Sequence, residues 1–145
     1  GMVGGQMLDI EAETRGDAQD LGTIGRMQRL KTGALIEFCC RAGAILGGAG
    51  MEARTSLRDY ARAVGLAYQI ADDLIDATGD AAAAGKAVGK DAARGKATFV
   101  GLMGIDGARA EAARLMDMAL AALQGFDGRA DDLRRLAVHI VTRDR

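Results

Sequence analysis

The chain has 145 residues, 49% of them hydrophobic, enough for one compact domain with a real core and too short for two. Its 19 basic and 20 acidic residues leave a formal charge of −1, so no overall field draws in nucleic acid or an anionic membrane surface. Two adjacent cysteines, Cys39 and Cys40, and a lone histidine, His139, exclude a disulfide framework and a His/Cys zinc site.

No stretch reaches the roughly 18 to 20 apolar residues of a membrane span, and no signal-peptide pattern opens the chain, so the expected setting is the cytoplasm. Proline is absent, aromatic residues make up 3%, and Ala, Leu and Met are abundant, which predicts an all-α fold over a single helical domain, residues 1–145. The 21 glycines are the anomaly. Each costs a helix roughly 1 kcal/mol relative to alanine, so some of them need another explanation.

In chain order, Gly1 to Glu13 reads as the end of a helix. Apolar residues then recur at helical spacing from Thr23, a plausible N-cap, to Leu46, where Gly47-Gly48 is a stop. A second long helix, about 40 Å at 1.5 Å per residue, is predicted from Met51 to Ala77, ended by Gly79-Asp80. Gly79 to Thr98 has no apolar seam and reads as a long loop. Two further amphipathic helices, Asp106–Leu123 and Arg129–Thr142, are separated by Gly125-Phe126-Asp127-Gly128.

The second long helix carries charge in an unusual place. At 100° per residue, Arg62, Gly65, Gln69, Asp72, Asp73 and Asp76 fall in a wedge about 100° wide, flanked by Val64, Tyr68, Ala71 and Ile75 on one side and by Leu66, Ile70, Leu74 and Ala77 on the other. Three carboxylates within one turn repel one another. A hard divalent cation is the natural compensation, and Mg²⁺ shared between one or two carboxylates and a substrate phosphate suits so sparse a face. An acidic surface patch is the alternative, although the C-terminal end of a helix dipole disfavours it.

The preceding helix shows the opposite oddity. Lys31 projects into an apolar face among Ile24, Met27, Ala34, Leu35, Phe38 and Ala42, while Arg26, Arg29, Glu37 and Arg41 take the other side. A buried ammonium needs an anion. Either Lys31 snorkels past its neighbours or pairs with a carboxylate such as Asp9, or it binds phosphate, with the Thr32 hydroxyl beside it. In the loop, Gly85-Lys86, Gly89-Lys90 and Gly95-Lys96 can offer N–H and ammonium groups to phosphate. The spacing is not that of a Walker A loop, and Asp72–Asp76 is not an EF-hand. Solvated lysines are the plainer reading of the loop alone; together with Lys31 and the acidic stripe it points to a diphosphate held through Mg²⁺.

These segments resemble, in order, four motifs of the trans-type isoprenyl diphosphate synthases. Gly4-Gly5-Gln6-Met7-Leu8-Asp9 is similar to the family's GGQxxD, Lys31-Thr32-Gly33-Ala34 to its KTG(A), Gln69 to Asp76 to the second aspartate-rich motif, and Gly85-Lys86 through Gly95-Lys96-Ala97-Thr98 to the GK…GKxT loop. The resemblance covers almost the whole chain and implies the C-terminal half of an isoprenoid synthase helical bundle. It further implies a Mg²⁺-dependent prenyltransferase that condenses an allylic diphosphate with isopentenyl diphosphate, a homodimer without nucleic-acid or membrane partners. Carried over by position, Asp72 ligates Mg²⁺, with Asp73 and Asp76 as further ligands or supports; Lys31, Lys86 and Lys96 hold diphosphate, and Thr32 and Gln69 face the forming allylic cation.

Two departures stand against the pattern. The family's first aspartate-rich motif is not found, Asp131-Asp132 reading instead as helix N-terminal charge. At half the expected length the chain is expected to be the C-terminal portion of a longer protein, inactive alone and with an apolar face that favours self-association. The second departure is Phe99-Val100, where many relatives have Tyr-Pro. A non-catalytic helical partner subunit and a terpene cyclase on the same fold are the alternatives, the second disfavoured by Lys31-Thr32 and the Gly-Lys loop.

Overall fold

Alanines recur at helical spacing through the middle of the chain, and the structure uses them as its main seam. In α4 (Met51–Thr78) Ala63, Ala67 and Ala71 are buried, and α5 (Phe99–Ala122) meets them with Ala108, Ala112 and Ala119. Methyl side chains lose no rotamer freedom and let two helices approach closely, which is how a chain with 3% aromatic residues packs a core. Tyr60, Ile70, Ile24 and Leu123 fill the larger spaces.

The computed structural model describes residues 1–15, 20–78 and 97–143, and among them there are helices and turns but no strand. Before α4 come α1 (Met2–Arg15), α2 (Leu21–Gln28), a π-helical turn (Arg29–Gly33) and α3 (Ala34–Leu46). After α5 a short 3₁₀ turn (Gly128–Ala130) leads into α6 (Asp131–Thr142). The central helix is α4, which packs on α5, α3, α6 and the π-turn, while α1 lies against the π-turn. None of these helices is long and apolar enough to cross a membrane.

The predicted all-α class is observed, with three corrections to its boundaries. The helix expected over Thr23–Leu46 is capped at Asp20, whose carboxylate accepts from the Thr23 N–H at 2.7 Å, and it is interrupted by the π-turn. The helix expected from Asp106 begins at Phe99, because the Thr98 hydroxyl accepts from the Gly101 N–H at 3.0 Å and caps it; Gly104, with φ of 71°, then kinks it. The last helix starts at Asp131, after the 3₁₀ turn, and Asp131 and Asp132 do occupy its first turn. Of the loop expected over Gly79–Thr98, residues 79–96, with Lys86 and Lys96, lie outside the described residues.

Arg134 fastens α5 to α6 by donating to the carbonyls of Leu123 and Phe126, each at 2.7 Å. Tyr60 does the same for α4 and α6: its hydroxyl, on a side chain 1% exposed, donates to the Leu133 carbonyl at 2.8 Å. Burial pushes the Tyr60 hydroxyl up to about 12. The unfolded chain therefore loses this proton near pH 10, before the folded one does, and stability falls as pH rises from there towards 12. Tyr60→Phe is expected to cost about 1 kcal/mol at neutral pH and to flatten that alkaline decline, as read by chemical unfolding followed by circular dichroism across pH 8 to 11.

Candidate active site

The π-turn sets the site. Inserting a π-turn adds a residue between α2 and α3 and turns Lys31 and Thr32 out of the ordinary helical register; such turns recur at functional sites. Two glycines let neighbouring helices reach this turn. A Cβ on Gly5 of α1 would lie 2.3 Å from the Lys31 nitrogen, and one on Gly65 of α4 would lie 3.2 Å from the Gly33 Cα. The backbones of α1 and α4 thus bracket Lys31-Thr32-Gly33, at a distance that forbids a side chain at Gly5 and leaves one at Gly65 a few tenths of an ångström too tight.

The bracketing fixes the polar groups. From α1, the buried Asp9 receives the Lys31 ammonium at 2.5 Å, with the Lys31 side chain still 29% exposed. From α4, the Gln69 side-chain oxygen accepts from the Thr32 hydroxyl at 3.4 Å. Lys31 and Thr32 then line a cavity of about 460 Å³ with Gln6, Leu35, Ile36 and Tyr68. Of the two readings of Lys31 made from sequence, the pairing with Asp9 is present, and Lys31 also lines the cavity.

The acidic stripe is linked to this cavity through Arg143. Tyr68 lines the cavity, and the Arg143 guanidinium stacks 4.5 Å from its ring centroid while donating to Asp72 Oδ1. Asp72 does not itself line the cavity; it is joined to the Tyr68 wall through Arg143. Asp72 and Asp76, one turn apart, are partly exposed. Asp73 departs from them: it is 7% exposed, and its Oδ2 accepts from the Phe99 N–H at 2.9 Å, tying α4 to the first turn of α5. Phe99 itself is buried there, and position 100 lies in the first turn of α5, where a backbone N–H has no helical acceptor, so valine in place of proline costs that turn nothing. Arg62, placed in the acidic wedge from sequence, projects instead to Glu37 on α3, at 3.0 Å.

The sequence of the chain matches the family described as polyprenyl synthetase over residues 1–131. It is 40% identical over 149 residues to a farnesyl diphosphate synthase of Escherichia coli, covering all of this chain and 49% of that one. The structure is similar to that of an FPP/GFPP synthase from Zymomonas mobilis, with 50% identity and a TM-score of 0.84 over 97% of this chain and 45% of that one. It is also similar to a polyprenyl synthase from Caulobacter crescentus in complex with calcium and isoprenyl diphosphate, with 25% identity and a TM-score of 0.87 over 99% of this chain and 56% of that one.

This chain belongs to the polyprenyl synthetase family. It spans about half the length of the relatives it matches. The match favours neither the partner-subunit reading nor the terpene cyclase reading.

The described residues of this chain fit Mg²⁺ as a metal shared with a ligand. Among them no three acids, cysteines or histidines converge into a closed cage. Asp72 and Asp76 offer hard oxygen donors on one exposed helix face, and Mg²⁺ held by one or two carboxylates plus phosphate oxygens requires no more. Arg143 was not foreseen from sequence: it lies 71 residues from Asp72 with no local pattern joining them.

The two glycine contacts give a paired test. Gly5→Ala must drive α1 off the π-turn and is expected to destabilise the chain by about 1 to 3 kcal/mol or more. Gly4→Ala, where a Cβ meets nothing within 4 Å, is expected to be neutral or slightly stabilising. Thermal unfolding of the two variants side by side reads the difference, and equal melting temperatures would contradict the bracketing.

Proposed function

We propose that this chain forms the second-motif side of a prenyltransferase active site that condenses an allylic diphosphate with isopentenyl diphosphate. The observation that supports this reading is a partly apolar cavity lined by Lys31 and Thr32, whose Tyr68 wall also carries Arg143, the partner of Asp72. The names of the relatives support it: one is a farnesyl diphosphate synthase, and another is a complex with calcium and isoprenyl diphosphate.

In this reading Lys31, oriented by Asp9, binds the allylic diphosphate, joined by Lys86 and Lys96 from the Gly-Lys segment of the sequence, outside the described residues. Mg²⁺ held by Asp72 and Asp76 supplies, when bound, Lewis-acid neutralisation of the leaving diphosphate. The C1–O bond breaks with both electrons going to diphosphate, and positive charge develops on the allylic carbons. The Thr32 hydroxyl oxygen and the Gln69 amide oxygen, already fixed against each other, present dipoles to that charge without reorganising. The isopentenyl double bond attacks C1, and loss of a proton to the released pyrophosphate restores neutrality and leaves a new double bond. Leu35, Ile36 and Tyr68 give the hydrocarbon an apolar wall. Asp73 keeps the acidic stripe in place through the Phe99 N–H.

The same reading includes a cytoplasmic homodimer. The support is the apolar surface left open, with Phe38 67%, Val3 70% and Leu46 88% exposed. Sedimentation of the chain is expected to show dimers or larger species, and a clean monomer would count against self-association.

The activity is tested with a polypeptide that joins this chain to the amino-terminal half its relatives have. It is expected to condense labelled isopentenyl diphosphate with an allylic diphosphate, whereas the chain alone is expected to be inactive. In the joined protein Asp72→Asn and Lys31→Ala are each expected to lower kcat by about 10²- to 10³-fold. Unchanged rates in both variants would refute the assignment.

A further inference from the structure

We propose that Arg143 is a resident counter-ion of the acidic stripe, occupying Asp72 in the metal-free protein and giving way when a divalent cation enters; this rests on reading Asp72 as a metal ligand. The stripe is unstable by itself, because Asp72, Asp73 and Asp76 lie within about one turn of the same helix and like charges at that spacing repel. Arg143, the C-cap that follows α6, brings a positive charge to Asp72.

Its setting is that of a group held in reserve. The guanidinium stacks on Tyr68 and engages Asp72 through a single donor to Oδ1, where an arginine fork can bind a carboxylate through two parallel bonds. Its side chain is 17% exposed, and the buried Nε has no acceptor. A buried N–H without a partner costs free energy, so this contact is not one the guanidinium is shaped to keep. The Asp72 side chain remains 41% exposed and open to an ion from solvent. Two cations cannot share that carboxylate at full strength, so Arg143 and the metal compete, and metal binding releases the arginine from Tyr68.

The competition has a spectroscopic readout, because the chain contains no tryptophan and two tyrosines, of which Tyr60 is buried away from the site. Mn²⁺ without any diphosphate is the probe, its binding followed by water-proton relaxation and by tyrosine emission. In the unaltered chain, saturation with Mn²⁺ is expected to change the emission, and Tyr68→Phe is expected to abolish that change. Arg143→Gln is expected to bind Mn²⁺ about three- to tenfold more tightly, the scale of a partly exposed ion pair, while Arg135→Gln, which removes the same charge from an exposed pair on α6, leaves affinity unchanged. Asp72→Asn separates the two readings. If it does not weaken Mn²⁺ binding, the metal assignment itself fails. If it does, but Arg143→Gln binds no more tightly than Arg135→Gln or the emission is indifferent to metal, the counter-ion proposal alone is overturned.

Discussion

The site depends on a close backbone approach. Lys31, Thr32 and Gly33 lie in a π-turn that α1 touches through Gly5 and α4 crosses at Gly65. A side chain at Gly5 would push α1 off the turn, and one at Gly65 would shift α4 by a few tenths of an ångström, so Asp9 and Gln69, the groups that hold Lys31 and Thr32, would move with them. This accounts for part of the glycine excess. The residues weaken their own helices, and the cost is offset by positioning two polar side chains that no ordinary helix pair would bring so near.

Charge is compensated helix by helix in the same spirit. The acidic stripe falls near the C-terminal end of α4, where the helix dipole makes carboxylates unfavourable. The N-terminal end of α5 is set against it, and its first N–H donates to Asp73, so the positive end of one dipole meets the negative end of the other through a buried carboxylate. Asp72 is compensated separately by Arg143. The two neighbouring aspartates therefore have different tasks: Asp73 is buried as a brace, and Asp72 keeps an exposed oxygen for exchange.

How far this was legible in the amino-acid sequence differs from residue to residue. The long α4 was plain, because 28 residues of regular apolar period outweigh any local ambiguity. Lys31 was conspicuous as a charge on an apolar face, and Asp9 was among its possible partners. The π-turn left no trace, since Arg29 to Gly33 contains nothing that an α-helix rejects. The start of α5 was hidden by Gly101 and Gly104, which look like breakers; Gly104 does break the helix axis, while Gly101 donates to the Thr98 cap. The helical wheel also put Asp72 and Asp73 in one wedge, although adjacent residues diverge by 100° and only packing against α5 decides which of them is buried. Arg143 depended wholly on the tertiary fold.

The exposed and buried halves of this chain follow one division. On the α4–α5 side the seam is closed by alanines and needs nothing further. On the other side α1 and α3 leave Val3, Met7, Leu35 and Phe38 open, and the cavity beside Lys31 has its apolar lining on that same side. On the proposed reading the cavity has to keep water from a developing carbocation, and the described residues leave it open. The open apolar face and the half-walled cavity are thus a single feature. Leu35 belongs to both, so on that reading a surface that covered Leu35 would also close the cavity beside Lys31 and Thr32, coupling chemistry there to burial of the face.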